Sequence, residues 1–320
     1  VELLRDLNEL AAPGRPKEKV VLTIGAFDGV HIAHRALIAG AVMEARESGA
    51  RAVVLSFDPH PDTVVKPDKP PMIYLTDVED KAQLIAEIGA DILIVQPFTV
   101  DFARKTAQEF LDQLLNLMEI REIQVGEDFV FGYKAQGNVE WLRQAGHRHG
   151  FKVKALAPLE IDNETVSSTR IRNWLTNGAV DEASRLLNRT YSLKGVVVHG
   201  NQRGRLIGFP TANLAVPAQF CVPGNGVYAT ITTIYGMEGE GKPRPSVTNV
   251  GVRPTFDNGE RSVETFILDY SADLYGKIIR VEFIKKLRDE RKFSGIEEIR
   301  AQLGRDVENA RAVLAKAARD

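Results

Sequence analysis

The sequence predicts two domains of unlike architecture. Residues 1–187 read as an α/β domain with a parallel sheet, and residues 188–320 as a small antiparallel β domain, barrel or sandwich, with C-terminal helices. Three observations predict this. The chain has 320 residues, more than one compact core usually holds. Short apolar runs alternate with helix-period segments as far as about residue 188, and strand-like runs separated by turn clusters follow. Hydrophobic residues make up 44% and charged residues 26%, an ordinary globular composition.

In the first half, Val20–Ile24, Ala52–Phe57, Asp91–Val95, Glu122–Val125 and Val153–Ala157 read as buried strands. Helical segments lie between them at about 34–48, 77–88, 107–118 and 139–149. Two of these open with capping boxes, Thr76-Asp77-Val78-Glu79 and Thr106-Ala107-Gln108-Glu109, in which hydroxyl and carboxylate satisfy orphan amides reciprocally. Strand–helix alternation at this spacing means parallel strands, because each crossover needs a helix. A two-helix segment over about 170–188 closes the domain.

From Tyr191 onward the runs are Leu193–His199, Val227–Ile234, Pro245–Val250, Val263–Leu268 and Ile278–Ile284, punctuated by turns such as Pro223-Gly224-Asn225-Gly226 and Asp257-Asn258-Gly259. The link Asp269–Lys277 is too short for a helical crossover, so its flanking strands pair antiparallel. The end is helical again, opening at Ser294-Gly295-Ile296-Glu297. The halves differ in architecture and are no duplication.

Composition narrows the partners. Lys plus Arg is 41 against 43 Asp plus Glu, a net charge of −2 that gives no bulk attraction to nucleic acid or acidic membranes. Cys221 is the single cysteine, so neither an intrachain disulfide nor a thiolate metal cage can form. No apolar stretch approaches a membrane span, and acids near the N-terminus are unlike a secretory leader. The expectation is a cytoplasmic chain, monomer or weak homo-oligomer, whose partners are small molecules and neither nucleic acid nor membrane.

The first candidate site follows the strand Val20–Ile24: Gly25-Ala26-Phe27-Asp28-Gly29-Val30-His31-Ile32-Ala33-His34, then a helix. Gly25 and Gly29 admit close backbone approach. A helix N-terminus offers free N–H groups to phosphate. His31 and His34, three apart, can aim donors the same way at charge developing on a phosphorus. An H-x-x-H pair is also a metal pattern, but the helical zinc pair is spaced i, i+4 around a glutamate. Asp28 reads equally as a helix cap or as a chemical group. A second cluster, Val166-Ser167-Ser168-Thr169-Arg170-Ile171-Arg172, gathers hydroxyls and arginines at another helix start.

Together these runs, with Phe57-Asp58-Pro59-His60-Pro61 and Gly126-Glu127-Asp128-Phe129-Val130-Phe131-Gly132, resemble the nucleotidyltransferase superfamily in its FMN adenylyltransferase branch. The resemblance implies a Rossmann-like domain. It also implies that Gly25, Phe27, Asp28 and Gly29 line the nucleotide, that His31 and His34 contact ATP phosphates, and that Ser168, Thr169 and Arg172 close over them. Asp128 and Phe129 would lie close to the nucleotide or flavin. The chain departs from the family at Ala33, where glycine is usual; a methyl there crowds a phosphate or adenine edge, or simply favours the helix start. The chemistry needs no strong base, because the phosphate of FMN is already an anionic nucleophile.

The second candidate site begins Gly195-Val196-Val197-Val198-His199-Gly200-Asn201-Gln202-Arg203-Gly204-Arg205-Leu206-Ile207-Gly208 and continues Phe209-Pro210-Thr211-Ala212-Asn213-Leu214. Glycines interleaved with arginines suggest a loop near anions, or a surface hairpin; no Walker A or protein-kinase signature is present. On an extended segment Thr211 and Asn213 share a face and suit Mg2+ beside phosphate oxygens. The run G-F-P-T-A-N-L resembles riboflavin kinase. Further matches are Thr248-Asn249-Val250-Gly251-Val252-Arg253-Pro254-Thr255-Phe256, Val263-Glu264-Thr265-Phe266, Leu274-Tyr275-Gly276 and Leu287-Arg288-Asp289-Glu290. This implies a β-barrel in which Gly200, Arg203, Gly204, Arg205 and Gly208 cover the phosphates and Thr211 and Asn213 bind Mg2+–ATP. Glu264 would be the base for riboflavin's 5′-hydroxyl, and Arg288 would lie near the flavin.

Over nearly the whole chain the resemblance is to the bifunctional enzymes that turn riboflavin into FMN and FMN into FAD with ATP and Mg2+. Two alternatives stand beside it. One is a kinase with a degenerate flavin- or nucleotide-binding first domain. The other is an RNA-binding protein of nucleotidyltransferase fold, which the missing basic excess opposes.

Overall fold

A computed structural model describes residues 1–200, 204, 207–236, 241–252 and 261–317. Contacts within the chain gather into two compact units, Val1–Ser168 and Thr169–Asp320. In the first unit the strands and helices run β1 (Glu2–Leu4), β2 (Lys19–Ile24), α1 (Ile32–Glu47), β3 (Arg51–Asp58), α2 (Pro61–Val65), α3 (Val78–Ile88), β4 (Ile92–Pro97), α4 (Val100–Ala103), α5 (Ala107–Leu117) and β5 (Glu119–Gly126). They continue with β6 (Val130–Phe131), β7 (Gly137–Asn138), α6 (Val139–His149), β8 (Lys152–Leu156), β9 (Glu160–Ile161) and β10 (Glu164–Thr165). The helix α7 (Ser168–Thr176) spans the division.

Six of these strands form one parallel sheet in the order β1-β4-β3-β2-β5-β8. Its strands are apolar on both faces because helices cover both. Val20, Leu22, Val53 and Leu55 pack with α5 and α6 through Phe110, Leu111, Leu114, Val139 and Leu142. Val21, Ala52, Val54 and Leu93 pack with α1 and α3 through Ile38, Ala41, Val42 and Ile85. From β2 the chain builds outward to β3 and β4 on one side and to β5 and β8 on the other. Strand order therefore reverses between β2 and β5, and the crevice at their carboxyl ends is where such sheets take ligands.

The five expected strands are all present, and β1 joins them on the outer edge of β4. Three residues are too few to display an alternation, which is why β1 escapes a sequence reading. The capping box of α5 is formed as expected by Thr106 and Glu109. That of α3 is not: Asp77 caps the helix by accepting from the Asp80 amide at 2.6 Å. Thr76 instead accepts from the amide of Gly29 at 3.2 Å.

The second unit holds the rest of α7, then α8 (Val180–Leu187), β11 (Tyr191–Val198), β12 (Ala212–Ala215), β13 (Gly226–Tyr235), β14 (Arg244–Val252), β15 (Arg261–Ile267), β16 (Ile278–Arg288) and α9 (Ile296–Ala317). The six strands close into an antiparallel barrel, β11-β12-β15-β14-β13-β16, with β11 pairing β16 to complete the ring. Pairing every strand leaves no open edge. Among the described residues a single C-terminal helix, α9, packs on the barrel wall, its Ala310 and Leu314 against Val227, Ala229 and Val247. The sequence pattern misses β12, whose four residues lie inside a Pro-containing loop.

On the opposite face of the barrel strands five buried hydroxyls form one hydrogen-bonded line. Thr232 meets Ser246, Ser246 meets Thr230 and Thr230 meets Thr248, each at 2.8 Å, and Thr248 meets Thr265 at 2.9 Å. Residues 170–188, read from sequence as the end of the first domain, lie in the second unit. They are tied there through the turn at Pro223–Gly226: the Gly224 amide donates to Leu175 O at 2.7 Å, and Tyr228 Oη donates to Gly224 O at 2.5 Å. A Cβ added at Gly224 would meet Thr176 O at 2.5 Å and Gly178 N at 2.9 Å, both backbone atoms that cannot turn aside. We expect Gly224→Ala to destabilise the protein by about 1–3 kcal/mol, the usual penalty of overpacking, read as a lowered thermal unfolding midpoint.

Candidate functional sites

The first site lies at the carboxyl ends of β2 and β5. The chain leaves β2 through a tight turn in which Phe27 (φ 49°), Gly29 (φ 80°) and Val30 (φ 41°) all adopt left-handed backbone. For phenylalanine and for β-branched valine this is costly, of order 1–3 kcal/mol each. The surroundings impose it. Asp28 Oδ1 accepts from the Leu75 amide at 2.9 Å, Thr76 holds the Gly29 amide, and Ser168 Oγ donates to Asp28 O at 2.8 Å. Gly25 leaves room for the Phe27 ring, which would lie 3.0 Å from a Cβ there. Of the two readings of Asp28, the helix cap is corrected: His31 caps α1, its Nδ1 accepting from the His34 amide at 3.4 Å. Asp28, 3% exposed, anchors the turn.

That cap fixes a tautomer. With Nδ1 accepting, the proton of a neutral His31 sits on Nε2. The two imidazoles stack with centroids 3.6 Å apart and planes at 16°, and Phe27 meets His34 edge-on at 5.2 Å. Burial, then the neighbouring His31 and Lys81, hold the His34 imidazole well below the usual histidine range. Its Nδ1 is enclosed with no hydrogen-bond partner among the described residues. Ala33 is the second residue of α1, a position that alanine fills well.

Around this crevice stand aromatic rings that the sequence motifs only partly identified. Phe57 and Phe98, at the ends of β3 and β4, meet at 5.4 Å; Phe102 lies 5.9 Å from Phe110; and Phe129 stacks on Phe131 at 5.4 Å. Asp128 is exposed beside them, over a Gly126 whose missing Cβ its carboxylate would meet at 2.8 Å. Thr169 and Arg172 belong to the second compact unit. The structure thus joins Gly25, Phe27, Asp28, Gly29, His31, His34 and Ser168, and leaves those two as expectations.

The second site is built by barrel register. Cross-strand partners run Val198–Asn213, Asn213–Glu264, Glu264–Asn249, Asn249–Val227 and Val227–Arg288. Directly opposed residues share a face, so Asn213, Glu264, Asn249 and Arg288 form one row around the wall despite their distance in sequence. Thr211 donates its hydroxyl proton to Glu264 Oε2 at 3.4 Å. Gly200 lies where any Cβ would collide with the Asn213 amide, and Gly204 where a Cβ would strike Phe209 O. Gly208 turns with φ 85°. Arg203 and Arg205 lie outside the described residues.

Two cavities meet at Thr211. The larger, about 560 Å³, is lined by Val197, Ala212, Thr265, Tyr270 and Tyr275, with His199 stacked on Tyr275 at 3.8 Å. The smaller, about 250 Å³, lies by α9 and is lined by Asn249, Glu264, Phe266, Arg288, Phe293 and Val307. Arg288 is not free to swing in it, since its Nε and Nη2 grip the Asp306 carboxylate at 2.9 and 2.7 Å. Asp306 is 1% exposed, and breaking such a buried pair costs about 3–5 kcal/mol. Arg288 therefore pins α9 over the cavity as well as lining it.

Oxygen atoms from Thr211, Asn213 and Glu264 suit a hard cation held mainly by phosphate and water. Among the described residues no three His, Cys, Asp or Glu side chains gather to hold a metal, and no helix is long and apolar enough to cross a membrane.

Comparison with known proteins finds a separate family for each part of the chain. Residues 14–170 match the FAD synthetase family and residues 187–314 the riboflavin kinase family. The chain is 38% identical over 312 residues to the bifunctional riboflavin kinase/FMN adenylyltransferase of Escherichia coli K12, covering 97% of each. It is 36% identical over 297 residues to that of Listeria monocytogenes, covering 92% of this chain and 93% of the relative. A crystal structure described as a macrolide-efflux protein from Streptococcus pneumoniae superposes with TM-score 0.85 at 30% identity, over 97% of this chain and 98% of that one. The chain belongs to the bifunctional riboflavin kinase/FMN adenylyltransferase family.

The depressed His34 has a consequence for stability. The unfolded chain binds a proton near pH 6.5, whereas the folded site resists it to lower pH. Stability therefore falls as the pH drops below about 6.5 and levels off beneath the folded value. Urea unfolding between pH 7.5 and 5 should show this loss in the wild type, reduced in His34→Gln.

Proposed function

We propose that the two sites carry out successive steps, the barrel making FMN and the parallel-sheet domain consuming it. The chain is a riboflavin kinase and FMN adenylyltransferase that produces FAD, and the family matches carry that conclusion. The residue roles are our reading of the geometry. The 187/188 boundary is our functional division, supported by the start of the riboflavin kinase match at 187.

One observation carries the kinase assignment: Thr211, hydrogen-bonded to Glu264, lines both cavities. The isoalloxazine ring enters the smaller cavity beside Phe266 and Phe293, and Mg2+–ATP enters the larger. Donor and acceptor then meet where Glu264 takes the proton of the ribityl hydroxyl. The hydroxyl oxygen bonds the γ-phosphorus and ADP leaves. Thr211 and Asn213 hold the metal–phosphate group, with Gly200, Arg203, Gly204, Arg205 and Gly208 covering it and Arg288 bordering the flavin.

In the first domain a phosphate oxygen of FMN attacks the α-phosphorus of ATP and the bond to pyrophosphate breaks. His31, with its proton on Nε2, donates to the charge that develops, and His34 stands stacked behind it. Ser168, hydrogen-bonded to the turn, adds its hydroxyl to the phosphate cradle, and Asp128 and Phe129 border the flavin. A cytoplasmic setting is supported by the single cysteine, which can form no intrachain disulfide.

Incubation with riboflavin, ATP and Mg2+, followed by chromatographic separation of flavins, tests the division. Glu264→Gln should lower FMN formation by about 10²–10⁴-fold and leave FMN-to-FAD conversion intact. His31→Ala should lower FAD formation by about 10²–10³-fold while FMN accumulates. Loss of both reactions in either folded variant would overturn the two-site assignment.

A further inference from the structure

The helix α3 buries a lysine. Lys81 lies on the same side as Ala82 and Ile85 and is only 6% exposed, and an ammonium in such a place needs compensation. Its Nζ donates to the carbonyl of Ala26 at 2.8 Å and to Ser56 Oγ at 3.1 Å. Ser56 Oγ donates to the same carbonyl at 2.9 Å. The peptide oxygen directly before the strained Phe27 is thus held twice, from α3 and from β3. Phe27 in turn packs edge-on against His34.

The electrostatics follow the same path. Burial lowers the Lys81 pKa, opposed by the carboxylates of Asp28 on the turn and Asp58 at the end of β3. On α1 the titratable neighbours are His34 and His31, and Lys81 contributes to keeping His34 uncharged, after burial and His31. Neither proposed reaction step uses this lysine.

We propose that Lys81 is a positioning residue for adenylyl transfer: it fixes the Ala26 carbonyl that sets Phe27 beneath the histidine pair, and places positive charge behind the imidazoles. It touches no substrate and acts through the 26–34 turn. The proposal rests on the reading of His31 and His34 as the adenylyl site.

The test uses the full chain carrying Lys81→Met, which removes the charge at similar volume, and Lys81→Arg, which keeps it. FMN-to-FAD and riboflavin-to-FMN rates are measured in the same preparation, and the His34 imidazole is titrated by NMR. In Lys81→Met, FAD formation should fall about 10–100-fold, as for a misplaced catalytic group, with FMN formation unchanged. Loss of the neighbouring positive charge should move the His34 midpoint upward, and Lys81→Arg should move it back. Wild-type FAD formation in Lys81→Met overturns the proposal. So does lost FAD formation with an unmoved His34 midpoint, which would mark a packing role alone. If Lys81→Met fails to fold in its first unit, Ser56→Ala replaces it; this change deletes one partner of Nζ and keeps the charge. It should lower FAD formation several-fold, and wild-type rates there also overturn the proposal. Undiminished FAD formation in His31→Ala would instead sink the underlying site reading.

Discussion

Closure of the barrel is the constraint on which the proposed kinase site depends. A ring of six antiparallel strands has one register at each seam, and the seams together must return the chain to its starting strand. That condition lines up Asn213, Glu264, Asn249 and Arg288 along one row. A slip of a single residue in β15 would turn Glu264 away from the row and bring Thr265 to its place. The glutamate therefore needs no dedicated scaffold of its own. It is aimed by the hydrogen-bond ladder on either side, and by α9, which the Arg288–Asp306 pair holds against the same wall.

The parallel-sheet unit solves its problem differently. Strand order fixes where a ligand lies, at the reversal between β2 and β5, but supplies no side chain aimed there. The turn after β2 does, and at a cost: two non-glycine residues with left-handed backbone, one of them β-branched. Groups from distant segments hold it, with the Thr76 and Ser168 hydroxyls and the Leu75 amide each satisfying a different group of the turn. Histidines at so constrained a turn are held in one orientation, and in the adenylyl-transfer role we propose for them this is the condition under which donors act without reorganising.

The sequence made the architecture legible because its signals are local. Alternating apolar runs gave five strands of the sheet, and Thr106 with Glu109 gave a true capping box. Failures arose where a distant partner decides the outcome. Thr76 and Glu79 have the spacing of a cap, yet Thr76 is taken by Gly29 and the cap passes to Asp77. Asp28 offered no means of foreseeing its partner at Leu75, forty-seven residues away. Lys81 did carry a signal: it interrupts the apolar stripe of Val78, Ala82 and Ile85, where a cation has no business unless something meets it. Asn249, inside a recognised motif, gained a place in the site only once the register was known.

The five hydroxyls along the barrel strands have one further property. A line of five groups joined by four bonds uses four of its five protons, so one proton is left over, and it costs least on a hydroxyl with another acceptor within reach. Reversing one bond either passes the reversal to the next hydroxyl or leaves one hydroxyl accepting twice with its proton unused. Thr265, at one end, borders the larger cavity, while Thr232, at the other, is wholly enclosed. The polarity that the cavity wall presents at Thr265 is thus coupled to the hydroxyls behind it on β14 and β13. A ligand atom that demands a donor or an acceptor there sets the proton of Thr265 and biases those of the hydroxyls bonded behind it.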